Sequence, residues 1–288
     1  DDTQMTLFTA EGLVLAAQAG ALERTSELAR LGHRALLRWL RTQASHSRHP
    51  TFESTTEGWL LGEQALHTRR APGNTCLSAL QGDRLGCVAQ PLNQSKGCGG
   101  VMRVAPVGLA LGIDDPFRVG CELAALTHGH PSGYLAAGCL ALVIRELVRG
   151  ATLEQAAREA LEELRRWPAH EECASAIEAA LARARAGRPT PESVEALGAG
   201  WVAQEALAIS LYCALAHPQD FASAVLLAVN HGGDSDSTGA IAGNLMGALL
   251  GDGAIPERWL AELELRPALE RLADELGERC AAPGARPS

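Results

Sequence analysis

The stretch HGGDSDSTGAIAGNLMGALL, residues 231–250, sets two carboxylates, Asp234 and Asp236, directly before a helix-forming run that carries no charge. One acid at such a place is a helix cap worth roughly 1 kcal/mol, because its oxygens accept hydrogen bonds from the free N–H groups of the first turn. Two acids pushed toward an apolar interior are costly unless they are paired or bound to a cation. No Lys or Arg lies nearby in sequence, so a hard cation with oxygen ligands, Mg²⁺ or Mn²⁺, is the economical partner. The other end of the chain repeats the theme. DDTQM places Asp1 and Asp2 where a helix begins. Taken alone that pair reads as a cap and a solvated neighbour; together with DSDS it offers four carboxylates that can converge on one site.

Two further segments carry polar chemistry. In NQSKGCGGVMRVAP, residues 93–106, Gly97, Gly99 and Gly100 let backbone N–H groups approach an anion or a sugar with no Cβ in the way. These glycines match neither a Walker pattern nor GxGxxG, and an ordinary tight turn explains them equally well. APGNTC, residues 71–76, reads as a Pro-Gly turn. In LTHGHPSGY, His128 and His130 suit a ligand, a proton shuttle or a cap. No third His or Cys has the spacing that zinc would need.

The elements that must position these groups are helical. Val and Ile are sparse beside Ala and Leu, and only 4% of the 288 residues are aromatic, a balance that favours helices over sheets. TQMTLFTAEGLVLAAQAG predicts a first helix capped by Asp1 or Asp2 and ending near Gly20, and LARLGHRALLRWLRTQ predicts a second. Residues 45–106 follow, rich in Gly, Asn, Ser, Thr and Pro, with one short helix at TEGWLLGEQAL. A long irregular stretch of this kind is usually a functional loop.

Helical patterns then run to Cys280, among them SVEALGAGWVAQEALAISLYCALAH, which reads as one helical segment. In the final DSDS helix, Gly239, Gly243 and Gly247 fall four apart. That spacing predicts a helix buried on most sides, with neighbouring backbones close against the glycines. The expected architecture is a single all-α domain over residues 1–280 with a disordered tail, AAPGARPS, at 281–288.

A net charge of −9 argues against nonspecific nucleic-acid binding. The eight cysteines show no CxxC or zinc-like spacing and several sit in apolar runs, so they read as reduced thiols of an intracellular protein. No run of roughly 18 apolar residues suggests a membrane span. No secretory signal opens the chain, and a cytoplasmic location is expected. The chain begins with Asp1 and not Met, so it reads as processed, excised or incompletely represented at its start.

DDTQMT, GCGGVMRVAP, LTHGHPSGYLAAG and NHGGDSDSTGAIAGNLMGAL, in this order and with these spacings, strongly resemble the ADP-ribosylglycohydrolases. That family includes the ADP-ribosylhydrolases and the dinitrogenase reductase-activating glycohydrolase. The resemblance runs from Asp1 to about Ala273, and its four motifs are specific only jointly. It implies an all-α fold with two Mg²⁺ or Mn²⁺ ions at the bottom of a cleft, where the bond between ADP-ribose and a modified acceptor is hydrolysed.

By the same resemblance, Asp1, Asp2, Asp234 and Asp236 match the metal-binding acids, and Ser237 takes the place of a hydroxyl ligand that is often Thr. Asp2, Asp234 and Asp236 are the implied catalytic acids. Ser95, Gly97, Cys98, Gly99 and Gly100 match the segment lining the ribose and diphosphate path, and His128 matches a histidine near the distal ribose. Family members usually carry a GDALG-like segment and a glutamate upstream of the first acids, and a Thr just before them; neither lies within this sequence.

The implied activity is removal of ADP-ribose from a protein acceptor, arginine-linked in the leading reading. An O-linked, serine-type acceptor is the nearest alternative. A non-catalytic ADP-ribose binder, or a crystallin-like member of the family, is an alternative of a different class, and another carboxylate-metal hydrolase is a third. No motif speaks to the oligomeric state.

Overall fold

The computed structural model describes residues 1–187 and 189–281. The tail expected to be disordered lies outside the described residues except for Ala281. Among the described residues there are fourteen α-helices and no strand, only two isolated bridges. The helices are α1 (Asp2–Gln18), α2 (Thr25–Thr42), α3 (Asn74–Leu80), α4 (Ala105–Leu109), α5 (Pro116–Ala125), α6 (Pro131–Val148) and α7 (Leu153–Leu164). They continue as α8 (Glu171–Arg185), α9 (Pro191–Glu195), α10 (Ala203–Ala216), α11 (Phe221–Val229), α12 (Ser235–Leu250), α13 (Glu257–Ala261) and α14 (Arg266–Arg279).

At the centre lies α6, which packs against α4, α5, α7, α8, α10 and α12. It is 18 residues long with a mean hydropathy of 1.3, so by length and composition it meets the membrane-span criterion, contrary to the sequence expectation. Its surroundings explain why: 78% of that window is buried inside the protein, and a helix covered on all sides must be apolar all round. Small residues let its neighbour come close. A Cβ at Gly138 would lie 2.5 Å from Cys121 Sγ on α5, a separation only glycine permits.

The first two helices are joined by charge as well as packing. Glu11 on α1 and Arg38 on α2 are both buried and pair at 2.9 Å. The second Glu11 oxygen accepts from the backbone N–H of Trp59 at 2.7 Å and of Leu60 at 2.9 Å, which satisfies the carboxylate from three sides. Gly58 is required there: its φ is +87°, and a Cβ would lie 2.4 Å from the Glu11 carboxylate.

Three expectations are corrected. TEGWLLGEQAL forms two 3₁₀ turns, Leu60–Gly62 and Gln64–His67, in place of an α-helix. The segment read as one helix over 193–217 is two, α9 and α10, because Gly198 and Gly200 take φ of +122° and +80°, which no helix accommodates. The α12 glycines behave differently from one another. A Cβ at Gly239 would meet Val229 Cγ1 at 2.5 Å, but at Gly243 and Gly247 it would meet nothing within 4 Å. These two floor an open groove of about 240 Å³ with Ala105, Leu109, Ile144, Asn244 and Ala248, so α12 is buried on one side and uncovered on the other.

Candidate functional site

The N-termini of α1 and α12 come together at one cavity. About 400 Å³ in volume, it is lined by Asp1, Asp2, Asp234, Asp236 and Ser237 together with Gly97, Cys98, Gly99 and His128. Four carboxylates from opposite ends of the chain therefore share one cavity, and among the described residues no Lys or Arg lines it. Capping does not explain them. Elsewhere Asp115 and Asp220 cap their helices, accepting from Arg118 N at 2.9 Å and Ser223 N at 3.0 Å. Asp1 and Asp234 occupy the same N-terminal position on α1 and α12 and make no side-chain cap bond, so the capping expected of the first acids does not occur. Asp1 Oδ2 instead accepts from Gly73 N at 3.2 Å.

Electrostatics mark the cluster as crowded with negative charge, which the α-ammonium of Asp1 offsets in part. Burial pushes the Asp2 carboxyl above the usual range, with the Ser237 hydroxyl holding it partly down and the charge of Asp236 adding to the rise. Asp234 is likewise raised, first by burial and then by the neighbouring Asp236 carboxylate, which is lowered in turn. Asp2 Oδ1 is buried without any hydrogen-bond partner, an arrangement that costs free energy unless something electropositive meets it. Oxygen donors, surplus negative charge and an orphaned carboxylate oxygen fit a hard divalent cation. The acids surround the cavity and do not yet close on a point: among the described residues, no three His, Cys, Asp or Glu side chains stand close enough to hold an ion as they are placed.

The glycine loop is built on Arg103. Fully buried, it donates to Gly99 O at 2.8 Å, Leu123 O at 2.9 Å and Thr127 Oγ1 at 2.9 Å, fixing the glycine loop against α5. Thr127 Oγ1 also stands 2.8 Å from His128 Nδ1, which holds the ring with Nε2 facing the glycine loop. Burial, reinforced by the nearby Arg103 charge, lowers its pKa to about 3, so the ring is neutral and serves as a polar wall, not a charged acid. His130 stands apart: its Nδ1 accepts from Ser132 N at 3.1 Å and caps α6.

Within the glycine loop, Gly97, Cys98 and Gly99 face the cavity and two expected members do not. Ser95 lies behind the loop, where its hydroxyl meets Thr75 Oγ1 at 3.2 Å. At Gly100, a Cβ would fall 2.9 Å from Ala124 Cβ, so this glycine serves packing against α5. Cys98 Sγ donates to Asp234 Oδ2 at 2.8 Å and stands 3.6 Å from Ser237 Oγ; burial and then the Asp234 carboxylate push its thiol far above the usual range.

Ala71, Gly73, Asn74, Thr75 and Cys76 of APGNTC, Met102 of the glycine-rich motif and Trp201, which no motif flagged, complete the lining. APGNTC is therefore no plain turn, since from Asn74 it is the start of α3. Trp201 lies in the break between α9 and α10 and is 61% exposed. That break is tied to the acids: Asp234 N donates to Ala199 O at 2.8 Å, and a Cβ at Gly233 would lie 1.9 Å from the same oxygen. A tryptophan directly after two closely spaced glycines, in GAGW, was the available signal, obscured by the helical pattern around it.

Fold and site together define an all-α protein with a carboxylate-lined cleft that contains a glycine loop. The profile of the ADP-ribosylglycohydrolase family matches residues 1–286, and the chain belongs to that family. A relative in Archaeoglobus fulgidus, an uncharacterized protein, is 35% identical over 184 residues, 63% of this chain and 58% of its own length. The "ADP-ribosylarginine hydrolase Tri1" of Serratia proteamaculans is 25% identical over 96% of this chain and 66% of its own. This chain thus spans less than two thirds of the length of either. A solved structure described as an "ADP-ribosylglycohydrolase-related protein complex" superposes with a TM-score of 0.63 at 29% identity, covering 97% of this chain and 81% of the other.

Proposed function

We propose that this chain carries the catalytic centre of a metal-dependent hydrolase that removes ADP-ribose from a modified protein, cleaving the N-glycosidic bond to an arginine guanidinium. The observation that carries the reading is that Asp1, Asp2, Asp234 and Asp236 line one cavity together with a glycine loop, with no Lys or Arg side chain among the described lining residues. The arginine linkage is supported by the name of the Serratia relative.

Asp1, Asp2, Asp234, Asp236 and Ser237 Oγ are the residues that would hold two Mg²⁺ or Mn²⁺ ions. Bound there, divalent cations orient ribose hydroxyls and lower the pKa of water from about 15.7 toward neutrality. The remaining work belongs to the chain. Gly97, Cys98 and Gly99 present the loop to a sugar and diphosphate in the cavity, His128 Nε2 faces the same loop, and Trp201 offers a face for a base. Cleavage at the anomeric carbon develops positive oxocarbenium character. One of Asp2, Asp234 and Asp236 accepts the proton of the attacking water.

The decisive assay is release of ADP-ribose from arginine-linked and serine-linked substrates with and without Mg²⁺. The Asp234→Ala/Asp236→Ala double variant should lose the metal-dependent turnover while keeping its helical spectrum; undiminished turnover in that variant would falsify the proposal. A non-catalytic ADP-ribose binder is the second reading, favoured because among the described residues no three ligating side chains meet at a point. Micromolar binding of ADP-ribose with no turnover on either substrate would decide for it.

A further inference from the structure

We propose that a second cavity, which shares Asp1, Asp2 and Asp236 with the first, is the acceptor site and takes the side chain of the modified arginine. The inference rests on the hydrolase reading above and adds where the protein part of the substrate binds and which residues recognise it. Two observations carry it. The first is the adjacency of the cavities. The one that contains the glycine loop and Trp201 has about 400 Å³, the second about 360 Å³, and Asp1, Asp2 and Asp236 line both. A bond cleaved at those acids has ADP-ribose at one end and the acceptor at the other. With ADP-ribose along the glycine loop, the acceptor falls in the second cavity.

The second observation is what lines that cavity beyond the acids. Leu66, Leu263 and Leu265 give it apolar surface, and Leu263 is 43% exposed, open to whatever enters. Glu264, between two of these leucines in sequence, already holds a guanidinium. Arg70, itself part of the lining, donates from Nη2 to both Glu264 carboxylate oxygens, at 3.0 and 3.1 Å. An arginine side chain matches this lining, because its methylene stem packs on apolar surface while its planar head seeks a carboxylate. A serine acceptor has no stem to cover the leucines and no charge for Glu264. Both partners of the Arg70–Glu264 pair are more than half exposed, at 54% and 56%, so the pair contributes little and a substrate guanidinium displaces Arg70 at small cost.

The test titrates the whole chain with Nα-acetylarginine methylamide by calorimetry at millimolar concentration. The citrulline analogue, which keeps the shape and lacks the charge, is the control. The arginine amide is expected to bind, and the citrulline amide to bind at least tenfold more weakly. Glu264→Gln and Leu263→Ala should each weaken the arginine amide, the former at least tenfold. Glu264→Gln should also lower the ratio of kcat/KM for arginine-linked over serine-linked substrate by a similar factor, chiefly through KM. Arg70→Ala separates recognition from bracing. With its competitor gone, Glu264 should hold the arginine amide at least as tightly as before; a loss equal to that of Glu264→Gln would mean that the ion pair only braces the loop, and would overturn the proposal. Circular dichroism checks the fold of each variant. If the arginine amide does not bind, or binds Glu264→Gln unchanged, the acceptor site is refuted and the hydrolase reading is left to its own assay. If it binds through Glu264 to a chain that turns over neither substrate, the arginine-binding cavity stands and the hydrolase reading falls.

Discussion

Gly99 and His128 are packed so closely that a Cβ on the glycine would lie 2.8 Å from His128 Cε1, inside van der Waals contact. The same Cβ would stand 2.9 Å from Cys76 Sγ, so the added carbon is caught between two buried side chains. Gly99→Ala should therefore displace the loop, weakening ADP-ribose binding by tenfold or more in calorimetry. The overpacking cost to stability should be about 1–3 kcal/mol. Gly97→Ala is the control, because its nearest contact would be a tolerable 3.4 Å. Equal effects from the two substitutions would contradict the steric account.

Arg103 holds Gly99, Leu123 and Thr127 with one planar fork, and an ammonium cannot reach all three. Arg103→Lys should lower stability by about 2–4 kcal/mol, since buried acceptors and a buried charge lose their partners together. Urea unfolding measures it. A change in midpoint equivalent to a few tenths of a kcal/mol would mean that the loop is held by something else.

Breaking the buried Glu11–Arg38 pair from one side should be worse than removing both charges. Glu11→Gln leaves the guanidinium with only the more distant Glu57, 3.6 Å away, and should cost about 3 kcal/mol. Adding Arg38→Met should recover part of that loss. A double variant less stable than the sum of the two single losses would reverse this reading.

Stability should fall on acidification partly through His33. Burial lowers its pKa to about 3 in the folded chain, against about 6.5 when unfolded. Below 6.5 the unfolded state takes up a proton that the folded state refuses, so the contribution is whole above that pH and lost progressively between about 6.5 and 3. The slope is about 1.4 kcal/mol per pH unit for one such group. Asp2 and Asp234, raised by burial, act in the opposite direction in the metal-free chain. The comparison of native and His33→Gln chains cancels them: the variant should show a shallower decline between pH 6 and pH 4 by about that slope. Parallel curves would place the His33 ring in contact with water.

Cation binding should stabilise the folded chain, because the crowded carboxylates repel one another without it. At a concentration one hundred times its Kd, Mn²⁺ should add about 2.7 kcal/mol and raise Tm reversibly, with a chelator restoring the lower value. Asp2→Asn should blunt the rise. A Tm indifferent to Mn²⁺ would count against the site.

Local chemistry determined much of this protein. Helical periodicity and the scarcity of β-branched residues were enough for the all-α class, and the unpaired charges of Asp1, Asp2, Asp234 and Asp236 marked the acids, because burial cost and helix propensity are properties of neighbours in sequence. Tertiary structure alone decided which groups meet. Only packing brings the start of α1 onto the start of α12, leaves both acids uncapped, and sets Cys98 against Asp234 across 136 positions of chain.

The same limit explains the misreadings. Gly243 and Gly247 share a spacing with Gly239, yet face open space, because what covers a helix face is set by the elements that pack there and not by the face itself. Trp201 was hidden in an apparently continuous helix, since the φ of Gly198 and Gly200 is chosen by contacts with Glu205 and Asp234 that local propensity does not contain.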